Sequence, residues 1–264
     1  MSAEVPMSVP DGYPDTGITR DQLDLVARAR VFFAHQSVGE DVLNGVRLVC
    51  ADHGLAPQIA PWRPGSGVGR GITHLRVGTN GDPFGKLRCV RDLVHQGAAG
   101  RNGIVVAKLC FVDIVATTDI TSLFAAYRDT LARIERDQPG LRTVAVTMPL
   151  TVDPDRVTRL KSGARALTGR PVRFGRAENA VRERFNRLIR GTYPTERVFD
   201  LAAVETGAAD RTPAVPDEGS RRSTSTRPPA LHRGLARDLG HLNDDGARAA
   251  ALAFLATLAL VAGR

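Results

Sequence analysis

Lysine, cysteine and aromatic side chains are scarce in this chain of 264 residues, and each shortage closes off a class of function. Three lysines, Lys86, Lys108 and Lys161, stand among 36 basic residues, so the formal charge of +8 and the isoelectric point near 10.2 are carried by arginine. Such a charge invites a phosphate-bearing partner. The arginines are dispersed, however, and aromatic residues make up 5% of the chain, too few for the interleaved stacking platform of a single-strand binder. The charge reads as solvated surface, and no nucleic-acid partner is expected.

Cys50, Cys89 and Cys110 are odd in number and far apart, with no CxxC pair, which indicates neither a disulfide framework nor a zinc site. They read as buried free thiols. The N-terminal run MSAEVPMSVPDGYPDTG has no basic region followed by an apolar core, so it does not read as a secretory signal. The apolar run AAALAFLATLALVAG at the other end is shorter than the roughly 20 residues that span a bilayer. It reads as a buried terminal helix, and a cytoplasmic protein with no membrane partner is expected.

What is present is ordinary globular composition, with 42% hydrophobic and 24% charged residues, in a length that suits one α/β domain. Residues 1–18 read as an irregular leader and 19–264 as the domain. Thr19-x-x-Gln22 is a capping box for a helix through Arg28. RVFFAH (30–35) reads as a short apolar strand, and Val42, Leu43, Val46, Val49 and Cys50 then repeat at helical spacing. The alternation continues with strands at 54–61, 103–113, 141–150 and 196–202 and helices at 84–94, 122–136 and 177–189. Repeated strand and helix patterns imply parallel crossovers and a three-layer α/β sandwich. Two segments fit no regular element: the glycine-rich 62–82, and 205–234, rich in Pro, Ser, Thr and Arg, which reads as a mobile loop or lid.

Ser37 directly follows the first strand and precedes a helix, which sets its hydroxyl at the carboxyl edge of the sheet, where open α/β folds place ligands. Backbone N–H groups at the helix start point into the same space and suit an oxyanion. Taken alone, a serine there is usually a helix cap. In DLGHLNDDG, Asp238 and His241 lie three apart in a turn before the final helix, a spacing that lets the carboxylate orient the imidazole. Taken alone, such a pair is more often a surface aspartate and a capping histidine.

Together, HQSVG (35–39) and DxxHLNxxG (238–246) resemble the first and last sequence blocks of the SGNH (GDSL-like) hydrolases, in a branch where HQSVG replaces GDS. The resemblance spans roughly residues 29–262. It implies a flavodoxin-like parallel sheet, no required metal or cofactor, and hydrolysis of an ester or related acyl group on a small molecule or sugar. It also implies Ser37 as nucleophile, His241 as base and Asp238 as its orienting carboxylate. The family's oxyanion-hole asparagine is missing after the third strand, which ends KLCFVD, whereas GTN (78–80) occurs earlier. Gly78 and Asn80 are therefore assigned to the hole, with a simple Asn-Gly turn as the other reading.

Lys108, alone within an apolar strand, needs a partner, because burying its charge unpaired is costly. Asp113 or Asp82 is expected to supply it, a contact with substrate being the second reading. His35 is expected to be a satisfied structural histidine. Three functions are carried forward: an esterase or deacetylase working through an acyl-enzyme, an acyltransferase using the same residues, and a non-catalytic ligand-binding protein on the same fold.

Overall fold

The computed structural model describes residues 17–65, 68–154, 173–207 and 228–263. The leader through residue 16 and the central part of the expected mobile loop, 208–227, therefore lie outside the described residues. Their flanks are tied down. Ile18 is buried against the core, Leu231 N–H donates to the Thr151 carbonyl, and His232 N–H donates to the Glu205 carbonyl.

Among the described residues a six-stranded, wholly parallel sheet runs in the order β2-β3-β1-β4-β5-β6. The strands are β1 Arg30–His35, β2 Ile59–Pro61, β3 Gly71–Arg76, β4 Ile104–Ala107, β5 Arg142–Val146 and β6 Val198–Phe199. Setting aside the edge strand β2, this is the doubly wound order 2-1-3-4-5 of flavodoxin-like folds, whose ligand crevice opens where the winding reverses. That reversal lies between β1 and β4.

Among the described residues seven α-helices accompany the sheet: α1 Arg20–Arg28, α2 Ser37–Asp52, α3 Pro83–His95, α4 Ile120–Asp137, α5 Arg176–Thr192, α6 Leu201–Glu205 and α7 Asp244–Ala262. The expected capping box starts α1, with Thr19 Oγ1 accepting from Gln22 N–H and Gln22 Oε1 accepting from Thr19 N–H. Alternate side chains of β1 feed two cores. Val31 and Phe33 pack with α1, α2 and α7, and Phe32 and Ala34 pack with α3, α4 and α5. Helix α7 is long and apolar enough to cross a membrane by length and composition, but in this fold Phe254, Leu255 and Leu258 are buried in the first of those cores. It lies close against α2, where a Cβ on Gly45 would stand 1.9 Å from the Ala247 carbonyl oxygen.

Four expected elements are corrected. Of 54–61 only Ile59–Pro61 is strand, and the segment 62–82 contains β3, which pairs with β1 along its whole length. Gly71 opens that strand at φ +90°, where a Cβ would meet the Gln58 carbonyl at 2.4 Å. The strand expected over 103–113 leaves the sheet after Ala107 and turns through a 3-10 helix, Phe111–Asp113. The strand expected over 141–150 stops at Val146, because side chains then take over its backbone bonds. Asn186 accepts from Met148 N–H, Glu205 from Leu150 N–H and Asn179 from Thr151 N–H. Finally, 196–202 holds a two-residue strand and the start of α6.

Candidate functional site

Ser37 is the first residue of α2, two residues past the end of β1 and half-buried. Glycine makes this tight strand-to-helix turn possible: a Cβ on Gly39 would stand 2.3 Å from the His35 Cβ. His241 reaches the serine from the turn before α7, its Nε2 lying 2.9 Å from Ser37 Oγ. On its other side Nδ1 lies 2.7 Å from Asp238 Oδ2. A carboxylate has no proton to give, so Nδ1 carries the hydrogen and Nε2 offers its lone pair to the serine hydroxyl.

The carboxylate is itself held. Asp238 Oδ1 accepts from the N–H groups of Gly240 at 2.8 Å and His241 at 2.9 Å, an Asx-type turn that explains the spacing of three. Burial pushes the Asp238 carboxyl up, but the hydrogen bonds from Gly240 N–H and from His241 outweigh it and hold the group below its ordinary value. Phe111 closes the back of the turn. Its ring meets the His241 ring edge-on at 5.7 Å, and a Cβ on Gly240 would stand 2.7 Å from it.

Two residues that the sequence reading did not single out hold the site together. Asp41, buried one turn into α2, accepts from Leu242 N–H at 3.2 Å and from Arg237 Nη2 at 3.3 Å, joining the serine's helix to the histidine's turn. Burial raises its carboxyl above the ordinary range. Gln36 donates from Nε2 to the carbonyls of Val77 at 2.6 Å and Gly78 at 3.0 Å, tying the loop after β3 to the start of α2. No local signal marks either, since both stand among the polar residues and glycine of HQSVGED (35–41).

That loop carries Gly78 and Asn80. Gly78 has φ +60°, and a Cβ there would press on Lys86 Cγ at 2.7 Å, so both conformation and space demand glycine. Asn80 Oδ1 accepts from Lys86 Nζ at 2.9 Å, which leaves the amide NH₂ to be presented outward. Lys86 in turn bonds both oxygens of the fully buried Asp113, at 2.8 and 2.7 Å. Asp113 also accepts from the N–H groups of Gly81 and Cys110. One buried ion pair thus fixes the whole loop.

The expected partnership of Lys108 with Asp113 or Asp82 is not formed. Lys86 takes Asp113, and Asp82 caps α3 by accepting from Gly85 N–H. Lys108 is 2% exposed, which removes it from the surface a substrate would touch, and its Nζ donates to the Leu109 carbonyl at 3.2 Å. Burial lowers its pKa, opposed by the nearby Cys110 and Glu205. Glu205, fully buried as well, is pushed up by burial to about 8 and accepts from Leu150 N–H. Arg182, missed by the sequence reading, is a buried hub of α5 that donates to the carbonyls of Phe111, Ile114 and Arg173 and so fixes the Phe111 turn.

No family model matches this chain, and no curated protein or solved structure does either.

Proposed function

We propose that the chain is a serine-dependent hydrolase that cleaves an ester or related acyl group on a small molecule or sugar. The observation that carries this reading is the unbroken line from the Asp238 carboxylate through the His241 ring to the Ser37 hydroxyl, at 2.7 and 2.9 Å. A helix-capping serine and a surface aspartate have no reason to share one imidazole in the tautomer that general-base chemistry requires.

In this reading Ser37 Oγ attacks the acyl carbonyl while its proton passes to His241 Nε2. Asp238 stabilises the imidazolium that forms. The tetrahedral oxyanion is met by the Ser37 N–H at the start of α2, by the Gly78 N–H and by the Asn80 amide. The C–O bond to the leaving alcohol then breaks as His241 returns the proton to it, leaving acyl-Ser37. Water, deprotonated by His241, attacks the acyl group. A second tetrahedral intermediate expels the carboxylic acid, and the serine recovers its hydrogen.

The identity of the substrate class rests on the resemblance of HQSVG and DxxHLNxxG to the SGNH hydrolases. A panel of short-chain aryl esters and acetylated sugars, with Ser37→Ala alongside, tests it. Hydrolysis by the wild type that disappears in the variant supports the reading, and equal rates in both overturn it.

A further inference from the structure

A second cluster lies behind the serine. His35, at the end of β1, and His74, on the neighbouring β3, approach with His35 Nε2 at 3.0 Å from His74 Nδ1. Glu40, in the first turn of α2, brings a carboxylate oxygen into the same space, so that one ligand atom from each of the three residues lies within 4.8 Å of the others. Two imidazole nitrogens facing each other beside a carboxylate form a set of metal donors as well as a hydrogen bond.

The orientation of His35 is fixed from behind. Its Nδ1 lies 2.8 Å from the Gln36 carbonyl, which can only accept, so Nδ1 carries the hydrogen and Nε2 presents a lone pair towards His74 and Glu40. A ring N–H locked onto a backbone carbonyl while the other nitrogen looks into a site is the support that histidine ligands of metal ions ordinarily have. The ring is further clamped by Phe33, with centroids 4.8 Å apart, and by the absence of a side chain on Gly39.

We propose that His35 Nε2, His74 Nδ1 and the Glu40 carboxylate bind a divalent first-row transition ion of the zinc, cobalt and iron(II) class. Metal–nitrogen bonds for such ions are about 2.0–2.1 Å, so two nitrogens 3.0 Å apart subtend about 90° at the ion, and parting by about 0.3–0.4 Å gives the tetrahedral angle. Two imidazoles and one carboxylate are a donor set these ions favour. His74 and Glu40 are partly exposed, so ions can enter from solvent and water completes the shell.

In the ion-free protein His74 Nδ1–H donates to His35 Nε2. Binding needs that hydrogen to move by tautomeric exchange with water to His74 Nε2, which leaves the charge of the ring unchanged. The exposed Arg76, 3.5 Å from Glu40, has to swing aside. The ion would pin together β1, β3 and the first turn of α2. The inference stands on these residues alone and not on the reading of Ser37 and His241.

The experiment is titration of the metal-stripped, untagged chain of 264 residues with Co²⁺, followed by calorimetry and by visible d–d absorption, with Zn²⁺ as competitor. We expect one equivalent of Co²⁺ to bind, to give a ligand-field band, and to be displaced by Zn²⁺. Ser37→Ala and His241→Ala should bind as the wild type does. His74→Gln and Glu40→Gln, each with an unchanged circular dichroism spectrum, should weaken binding by about 100-fold or more, since losing a ligand costs at least as much as losing its support. No saturable binding by the wild type, or binding that survives both variants, overturns the site.

Discussion

The Asp41 carboxylate, one turn beyond Ser37 on α2, accepts the backbone N–H of Leu242, the residue next to His241. The serine and the histidine are 204 residues apart in the chain, and this bond fixes the turn of one against the helix of the other.

Replacing Asp41 with alanine leaves the buried Leu242 N–H without its acceptor, a loss of about 1–3 kcal/mol, and frees the histidine turn. Misplacement of a catalytic group by about 1 Å costs on the order of 100-fold in rate. We expect Asp41→Ala to lower kcat on an ester by about that factor with a lower melting temperature. Asp41→Asn, which retains an oxygen acceptor, should lose much less. Equal defects in the two variants would show that the bond to Leu242 does not position His241.

Gln36 offers a second test from the opposite wall. Its amide NH₂ serves the carbonyls of Val77 and Gly78, a task that a carboxylate of the same shape cannot perform. Gln36→Glu should therefore be as damaging as Gln36→Ala, with kcat down about 10-fold or more, comparable to weakening an oxyanion donor. Steady-state kinetics on one aryl ester decide it. A Gln36→Glu protein with unchanged kcat would remove the loop after β3 from the proposed oxyanion site.

These two residues mark the boundary of what is legible in the sequence. Ser37, Asp238 and His241 can be picked out because each sits in a short motif at a strand or helix boundary, and the structure brings all three together. The parallel sheet is legible for the same reason, since β1, β4 and β5 are apolar runs. Strand β3 is hidden because Thr73, His74 and Arg76 break the apolar pattern in a glycine-rich stretch. The partner of Lys108 is mistaken because sequence proximity favours Asp113, whereas the fold brings Lys86 across from α3 to claim it. Such pairings depend on where helices lie across the sheet, and no local pattern records that.

The Lys86–Asp113 pair is almost fully buried, so removing one partner strands a charge. Lys86→Met should cost about 3–5 kcal/mol in stability, while Lys86→Met with Asp113→Leu should cost clearly less than the sum of the single changes. Chemical denaturation of the four proteins provides the cycle. Additive effects would mean that the two groups do not depend on each other.

Glu205 makes a prediction in pH. Its pKa is raised to about 8 in the folded state, so the folded chain holds a proton that the unfolded chain releases near 4.5. The stability this contributes is complete below the unfolded value and is lost as pH rises through the folded one. Relative to Glu205→Gln, a neutral mimic, the wild type should therefore lose stability between about pH 5 and 8. Denaturant melts across that range measure the difference. A wild type that gains on the variant as pH rises would mean that Glu205 is ionised and paired with Lys108.

In the function proposed for this site, Ser37 forms a covalent acyl intermediate with His241 as its base. The most direct test is turnover of p-nitrophenyl acetate by the wild type, Ser37→Ala and His241→Ala, with mass spectrometry of the wild type after treatment with a fluorophosphonate. Expected are turnover by the wild type, a loss on the order of 1,000-fold or more in each variant, no further large loss when both are combined, and the phosphonyl adduct on Ser37. A Ser37→Ala protein that turns over the ester at the wild-type rate, or an adduct on any other residue, would contradict the proposal.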